Sequence, residues 1–124
     1  MNMRDESAPV DLRSRTKQFA LRIIRLYGAL PNSSVAQVIG KQLLRSGTSL
    51  GAHYREGSHA RAYAEFISKL EVGLQELEET TYWLELLVES DIFPVDKLKD
   101  LQDEANQLLA ILVTCVKNAK RDHG

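Results

Sequence analysis

Glu56 and His59 are the first pair in this sequence with the spacing of a metal-ligand set. Di-iron and di-manganese sites in helical bundles use two Glu-x-x-His pairs plus two further Glu. Glu56-Gly57-Ser58-His59 supplies one such pair, and it straddles an expected turn. His53 stands six residues from His59, off the helical repeat, and His123 falls in a charged tail. With the second pair missing, the ligand count is short and no metal is expected. Glu76, Glu78 and Glu79 offer carboxylates for general acid–base work. Glu76 and Glu79 fall one turn apart while Glu78 projects elsewhere, the pattern of a solvated or ion-paired helix face. Cys115 lies among Ile111, Leu112 and Val116 and reads as a buried, inert thiol. No serine occupies a Gly-x-Ser-x-Gly turn, and no glycine-rich loop follows a strand to cradle a nucleotide. The expectation is a protein that is not an enzyme and carries no cofactor.

What remains is binding. The net charge of −1 hides a division between the halves of the chain. Residues 1–61 hold ten Lys and Arg against four Asp and Glu, whereas residues 62–124 hold six against thirteen. Such asymmetry means either that the halves lie against each other or that one face is reserved for an anionic partner. The candidate nucleic-acid-binding residues are Arg13, Arg15, Lys17, Arg22, Arg25, Lys41 and Arg45. Repeated around an oligomer, they would form a positive belt that holds phosphates by counterion release. With a sequence pI near 6.3, such a surface has to come from local clustering.

The elements that must position these residues are helices. The chain has 124 residues, one domain's worth, with 44% hydrophobic and 27% charged residues. One cysteine excludes an internal disulfide and fits a reducing compartment. The first ten residues lack a secretory apolar stretch, and no window approaches a membrane span, so the expected location is the cytoplasm, away from membranes. Apolar residues recur at steps of three and four throughout, and no run alternates with the period of two. The reading is an all-α, antiparallel up-and-down four-helix bundle with short loops. Residues 1–10 form a loosely ordered tail. Residues 11–121 form the single domain, with helices about 11–30, 34–56, 58–90 and 95–121. Asp11 is the expected N-cap of the first helix, and Ser34 with Gln37 reads as a capping box for the second. Gly40, Gly47 and Gly51 share one face of the second helix, where a closely approaching backbone is the expected cause. Tyr82, Trp83, Leu84, Leu86, Leu87 and Val88 cover nearly all sides of the third helix, and Val35, Ala36, Val38, Ile39, Leu43 and Leu44 do much the same on the second. An isolated bundle needs one stripe per helix, so the surplus points to a homo-oligomer.

Three runs carry a resemblance. They are Arg45-Ser46-Gly47-Thr48-Ser49-Leu50-Gly51-Ala52-His53-Tyr54-Arg55-Glu56-Gly57, Glu65-Phe66-Ile67-Ser68-Lys69-Leu70, and Glu79-Thr80-Thr81-Tyr82-Trp83-Leu84-Glu85-Leu86-Leu87. From about Phe19 to Lys117 the chain resembles the bacterial four-helix-bundle family of the 23S rRNA intervening-sequence protein. That family is similar to the accessory protein of diversity-generating retroelements, which assists a reverse transcriptase. The resemblance implies a ring-like homopentamer without catalytic residues or cofactor. The partners it implies are other copies of the chain, RNA or DNA, and a reverse transcriptase or another protein; the alternative is a protein-interaction scaffold without nucleic acid. Oligomer-interface or motif roles are expected for Gly47, Gly51, His53, Tyr54, Arg55, Glu56, Glu79, Tyr82 and Trp83. The family usually carries Asn where this chain has His53, so a ring nitrogen has to replace the amide in any buried hydrogen bond made there. Arg55 and Glu56 are expected to pair with Glu79 or Arg45 on neighbouring helices.

Overall fold

The computed structural model describes residues 11–123; the expected N-terminal tail, residues 1–10, lies outside them. Four helices follow in order: α1 (Leu12–Ala29), α2 (Ser34–Ser58), α3 (Tyr63–Glu89) and α4 (Val95–His123). Among the described residues there is no strand. Each helix packs antiparallel on the next, with α2 against α3 the most extensive pairing and α4 only lightly touching α1. The up-and-down bundle expected from the periodicity is the fold observed.

Local chemistry sets the helix ends. The Asp11 carboxylate accepts from the backbone N–H of Ser14, as an N-cap should. The cap of α2 is Ser33, whose hydroxyl accepts from Ala36 N–H, so Ser34 is the first helical residue and not the cap. Gln37 is thereby released from the expected capping box. Its side chain accepts from the Tyr27 hydroxyl at 3.0 Å and donates to the Pro31 carbonyl at 3.2 Å, tying α1, the connection and α2 together. At the far end of α3, Asp91 N–H bonds to Val88 and Ile92 N–H to Leu87. This is a Schellman stop with Asp91 at φ 58° in the left-handed position.

The second connection departs from expectation. Gly57 and Ser58 do not form the turn; α2 runs through them, and α3 begins only at Tyr63. Gly57 is needed for proximity, because a Cβ there would stand 3.1 Å from Lys69 Cβ on α3. The other α2 glycines do the same towards α1. A Cβ at Gly40 would lie 2.7 Å from Leu30 Cδ1, one at Gly47 2.8 Å from Ile23 Cγ1, and one at Gly51 3.2 Å from Thr16 Oγ1. The neighbour that the glycine face admits is α1, mostly through its side chains.

The core takes one stripe from every helix, including Phe19 and Ile23, Leu43 and Leu50, Leu77 and Leu84, and Leu108 and Leu112, all essentially sealed from solvent. Cys115 is buried among them. Two of the hydroxyls buried in this interior, those of Ser46 and Thr80, meet 2.8 Å apart between α2 and α3.

Candidate nucleic-acid interface

α1 carries five of the seven candidate cations, and its packing decides where each one goes. Thr16, Ile23 and Tyr27 face the glycines of α2, while Arg15 faces α4. At 100° per residue, Arg13 and Lys17 therefore fall on the α2 flank, and Arg22 and Arg25 turn towards the α4 flank. Arg13, Lys17 and Arg25 are exposed, Arg22 is half-buried, and Lys41 is exposed on α2.

Two members of the expected positive belt are engaged within the chain. Arg15 donates through Nε to Glu104 Oε2 at 2.7 Å and through Nη2 to Glu104 Oε1 at 2.8 Å, with a further bond to Gln107. The bidentate bond from Arg15 holds the Glu104 carboxyl below the usual carboxylate range, with a smaller contribution from the charge of Arg22. Arg45 spans α2 and α3, donating to Glu76 at 3.1 Å and to Glu79, with Gln42 completing its contacts. An arginine neutralised by carboxylates, one for Arg15 and two for Arg45, adds little to a phosphate-binding surface. Its role is to join helices, so Arg15 and Arg45 leave the candidate interface.

The motif residues separate in the same way. Gly47 and Gly51 seat α1, and Tyr54 is buried in the core. His53 is half-buried, with Nδ1 3.3 Å from Glu56 Oε1 and enclosed without a well-directed hydrogen bond. Glu56 pairs with Lys69 at 3.5 Å and not with Arg45, while Arg55 forms no ion pair among the described residues, with Glu79 or any other. Glu79 belongs to the Arg45 cluster, and Glu78 is exposed. His59 is the exposed C-cap of α2, three residues from a Glu56 that is directed to His53 and Lys69. No group of three or more His, Cys, Asp or Glu among the described residues is placed to hold a metal ion.

Of the surplus apolar residues, Ala36, Ile39, Leu43, Leu84 and Leu87 are absorbed by the core. Trp83 is half-buried against it, with its Nε1 enclosed and lacking an acceptor, and it meets Tyr82 edge-on at 5.1 Å. Val35, Val38 and Tyr82 remain outside, at 58%, 64% and 51% exposure. Sequence reasoning missed Leu21 and Ile24, which are exposed between the cations of α1. Their signal was present: both fall off the apolar stripe of that helix.

A cavity of about 40 Å³ between α3 and α4, lined by Thr81, Leu84, Glu85, Gln102 and Asn106, has room for about one water. Among the described residues no helix is long and apolar enough to cross a membrane.

A model of the 23S rRNA-intervening sequence protein family matches residues 10–114. A crystal structure from Bacteroides thetaiotaomicron, described as a protein with unknown function from the S23 ribosomal protein family, is similar with a TM-score of 0.81 and 36% sequence identity. The match covers 86% of this chain and 99% of that one. No curated protein matches.

Proposed function

Since the chain belongs to the 23S rRNA-intervening sequence protein family, we propose that it acts by binding without catalysis: a self-associating four-helix bundle that holds RNA or DNA by its phosphates along α1 and the start of α2. The observation that carries this reading is the unpaired state of the cations there. Arg13, Lys17, Arg25 and Lys41 are exposed, and none has an ion-pair partner among the described residues. Arg22, within electrostatic reach of Glu104, stands one turn from Arg25 and extends the same surface. Charges of this kind make sequence-independent contacts to phosphate, and their number sets the salt dependence of binding. Association of copies multiplies them, which is how a chain with a pI near 6.3 presents a basic surface.

The test is retention of single- and double-stranded RNA and DNA in a mobility-shift assay at about 50 and 200 mM salt, where phosphate binding weakens steeply. The variant Arg22→Glu/Arg25→Glu/Lys41→Glu should keep its helicity by circular dichroism and lose retention. Unchanged retention would overturn the reading. Exposed Val35 and Val38 favour a second reading, a scaffold for a protein partner. In that case nucleic acid is not retained, and association with the partner is insensitive to salt.

A further inference from the structure

We propose that Arg55 anchors a phosphate clamp, formed with Arg13 and Lys17 across the outer seam of α1 and α2, which holds the backbone of a nucleic acid and leads it along that seam to Lys41. This rests on the nucleic-acid binding proposed above and adds the residue that fixes the strand and the path the strand takes.

Gly51 sets the register of the seam, because a Cβ there would stand 3.2 Å from Thr16 Oγ1. Arg55 lies one turn beyond Gly51 on α2, and Arg13 lies one turn before Thr16 on α1. The two helices are antiparallel, so both steps lead to the same level of the bundle and the same flank. Lys17, four residues on from Arg13, shares its face. Three cations therefore gather where the outer faces of α1 and α2 meet.

Nothing in the hairpin neutralises them. No Asp or Glu occurs from Leu12 to Arg55, a stretch that holds eight Lys and Arg. Arg15 and Arg45 take carboxylates from α4 and α3, but Arg13, Lys17 and Arg55 have no ion pair among the described residues. The acids that flank the stretch are committed elsewhere. Asp11 caps the first turn of α1 through Ser14 N–H, and Glu56 is directed to His53 and Lys69. Arg55 is the informative member, because it is half-buried while the other two are exposed. A partly desolvated guanidinium without a carboxylate, beside two like charges, is an arrangement that an incoming anion stabilises.

The form of the surface selects a polyanion over a small one. Lys41 stands fourteen residues before Arg55, two heptads, and so returns to the same flank of α2 about 21 Å away. Lys41 is likewise exposed and without an ion pair. At about 3.4 Å per phosphate along one strand of a duplex, the clamp and Lys41 span about six phosphates. Contacts of this kind position a strand without reading its sequence.

The salt dependence of binding tests the clamp, because each phosphate contact to duplex DNA contributes a slope of about 0.9. The full chain is titrated with a DNA duplex of about 20 base pairs between about 0.05 and 0.2 M salt, followed by fluorescence anisotropy. Arg55→Met keeps an apolar stem and a similar helix propensity while removing the charge. It should lower the slope of log affinity against log salt by about one for each copy in contact, and Arg13→Gln/Lys17→Gln/Arg55→Met by about three. Arg55→Lys should keep the native slope. Without DNA, Arg55→Met should unfold at or above the native midpoint, since a repulsion is lost and no partner is. An unchanged slope in Arg55→Met, or earlier unfolding that reveals a partner within the chain, would overturn the clamp while nucleic-acid binding stands. Inorganic phosphate that stabilises the native chain as strongly as the duplex does, and Arg55→Met not at all, would overturn the path to Lys41. A native chain that binds none of the RNA and DNA probes would overturn the proposed function and the clamp together.

Discussion

Arg15 and Glu104 join helices that otherwise barely meet. Their two parallel hydrogen bonds, 2.7 and 2.8 Å long, close the bundle between α1 and α4 across 89 residues of sequence. Both side chains are largely shielded, at 25% and 19% exposure, so the pair lies between a surface bridge and a buried one. Glu104→Gln should cost about 1–2 kcal/mol at pH 7, above the range for exposed pairs because the fork is bidentate. The folded carboxyl titrates below its ordinary range, so its contribution is full above the unfolded value of about 4.3 and fades as pH falls through the folded value. Urea titrations from pH 7 to pH 2 should therefore show the native–variant gap narrowing in acid.

The glycines of α1 and α2 should respond to alanine in opposite directions. Gly47→Ala places a methyl 2.8 Å from Ile23 Cγ1, on a β-branched side chain with little freedom to yield. The expected loss is about 1–2 kcal/mol, overpacking outweighing the gain in helix propensity. Gly28 in α1 has nothing within 4 Å of a built Cβ, and Gly28→Ala should stabilise by about 0.5–1 kcal/mol. Thermal unfolding of the two variants beside the native chain checks both signs.

Asp91 holds a left-handed backbone position that a side chain makes costly. Asp91→Gly keeps the Schellman bonds of Asp91 and Ile92 and removes the clash, so the unfolding midpoint in urea should rise by the equivalent of about 0.5–1 kcal/mol. Asp91→Val should lower it.

Ser46 and Thr80 join two buried hydroxyls across α2 and α3, each also within reach of a carbonyl of its own helix, Leu43 at 3.4 Å and Glu76 at 2.8 Å, so the single and double variants should diverge. Thr80→Val deprives Ser46 of its buried partner and should cost about 1–2 kcal/mol, whereas Ser46→Ala/Thr80→Val should recover much of that loss. A double-mutant cycle in urea measures the coupling.

The helices were legible because each carries an uninterrupted stripe at steps of three and four, and Asp11 was legible as a cap because capping is local. Gly57-Ser58 misled because glycine serves both turns and close packing, and only the position of Lys69 on α3 distinguishes the two uses. Ser33 and Ser34 are adjacent and equally able to cap; the choice depends on Gln37 being drawn away to Tyr27 and Pro31. Arg15 and Arg45 looked like free cations because their carboxylate partners come from α4 and α3, a proximity that periodicity within one helix cannot encode. Leu21 and Ile24 were hidden for the opposite reason: attention to the buried stripe passes over apolar residues lying outside it.

The connections differ in how firmly they are tied. The first is bolted by Gln37 to both of its flanks and the third is closed by the Asp91 stop, but Ala62 begins α3 with no side-chain bond to its first turn. Residues 59–62 are thus the seam at which a protease site or a fluorescent insert can be introduced with the least disturbance to either hairpin.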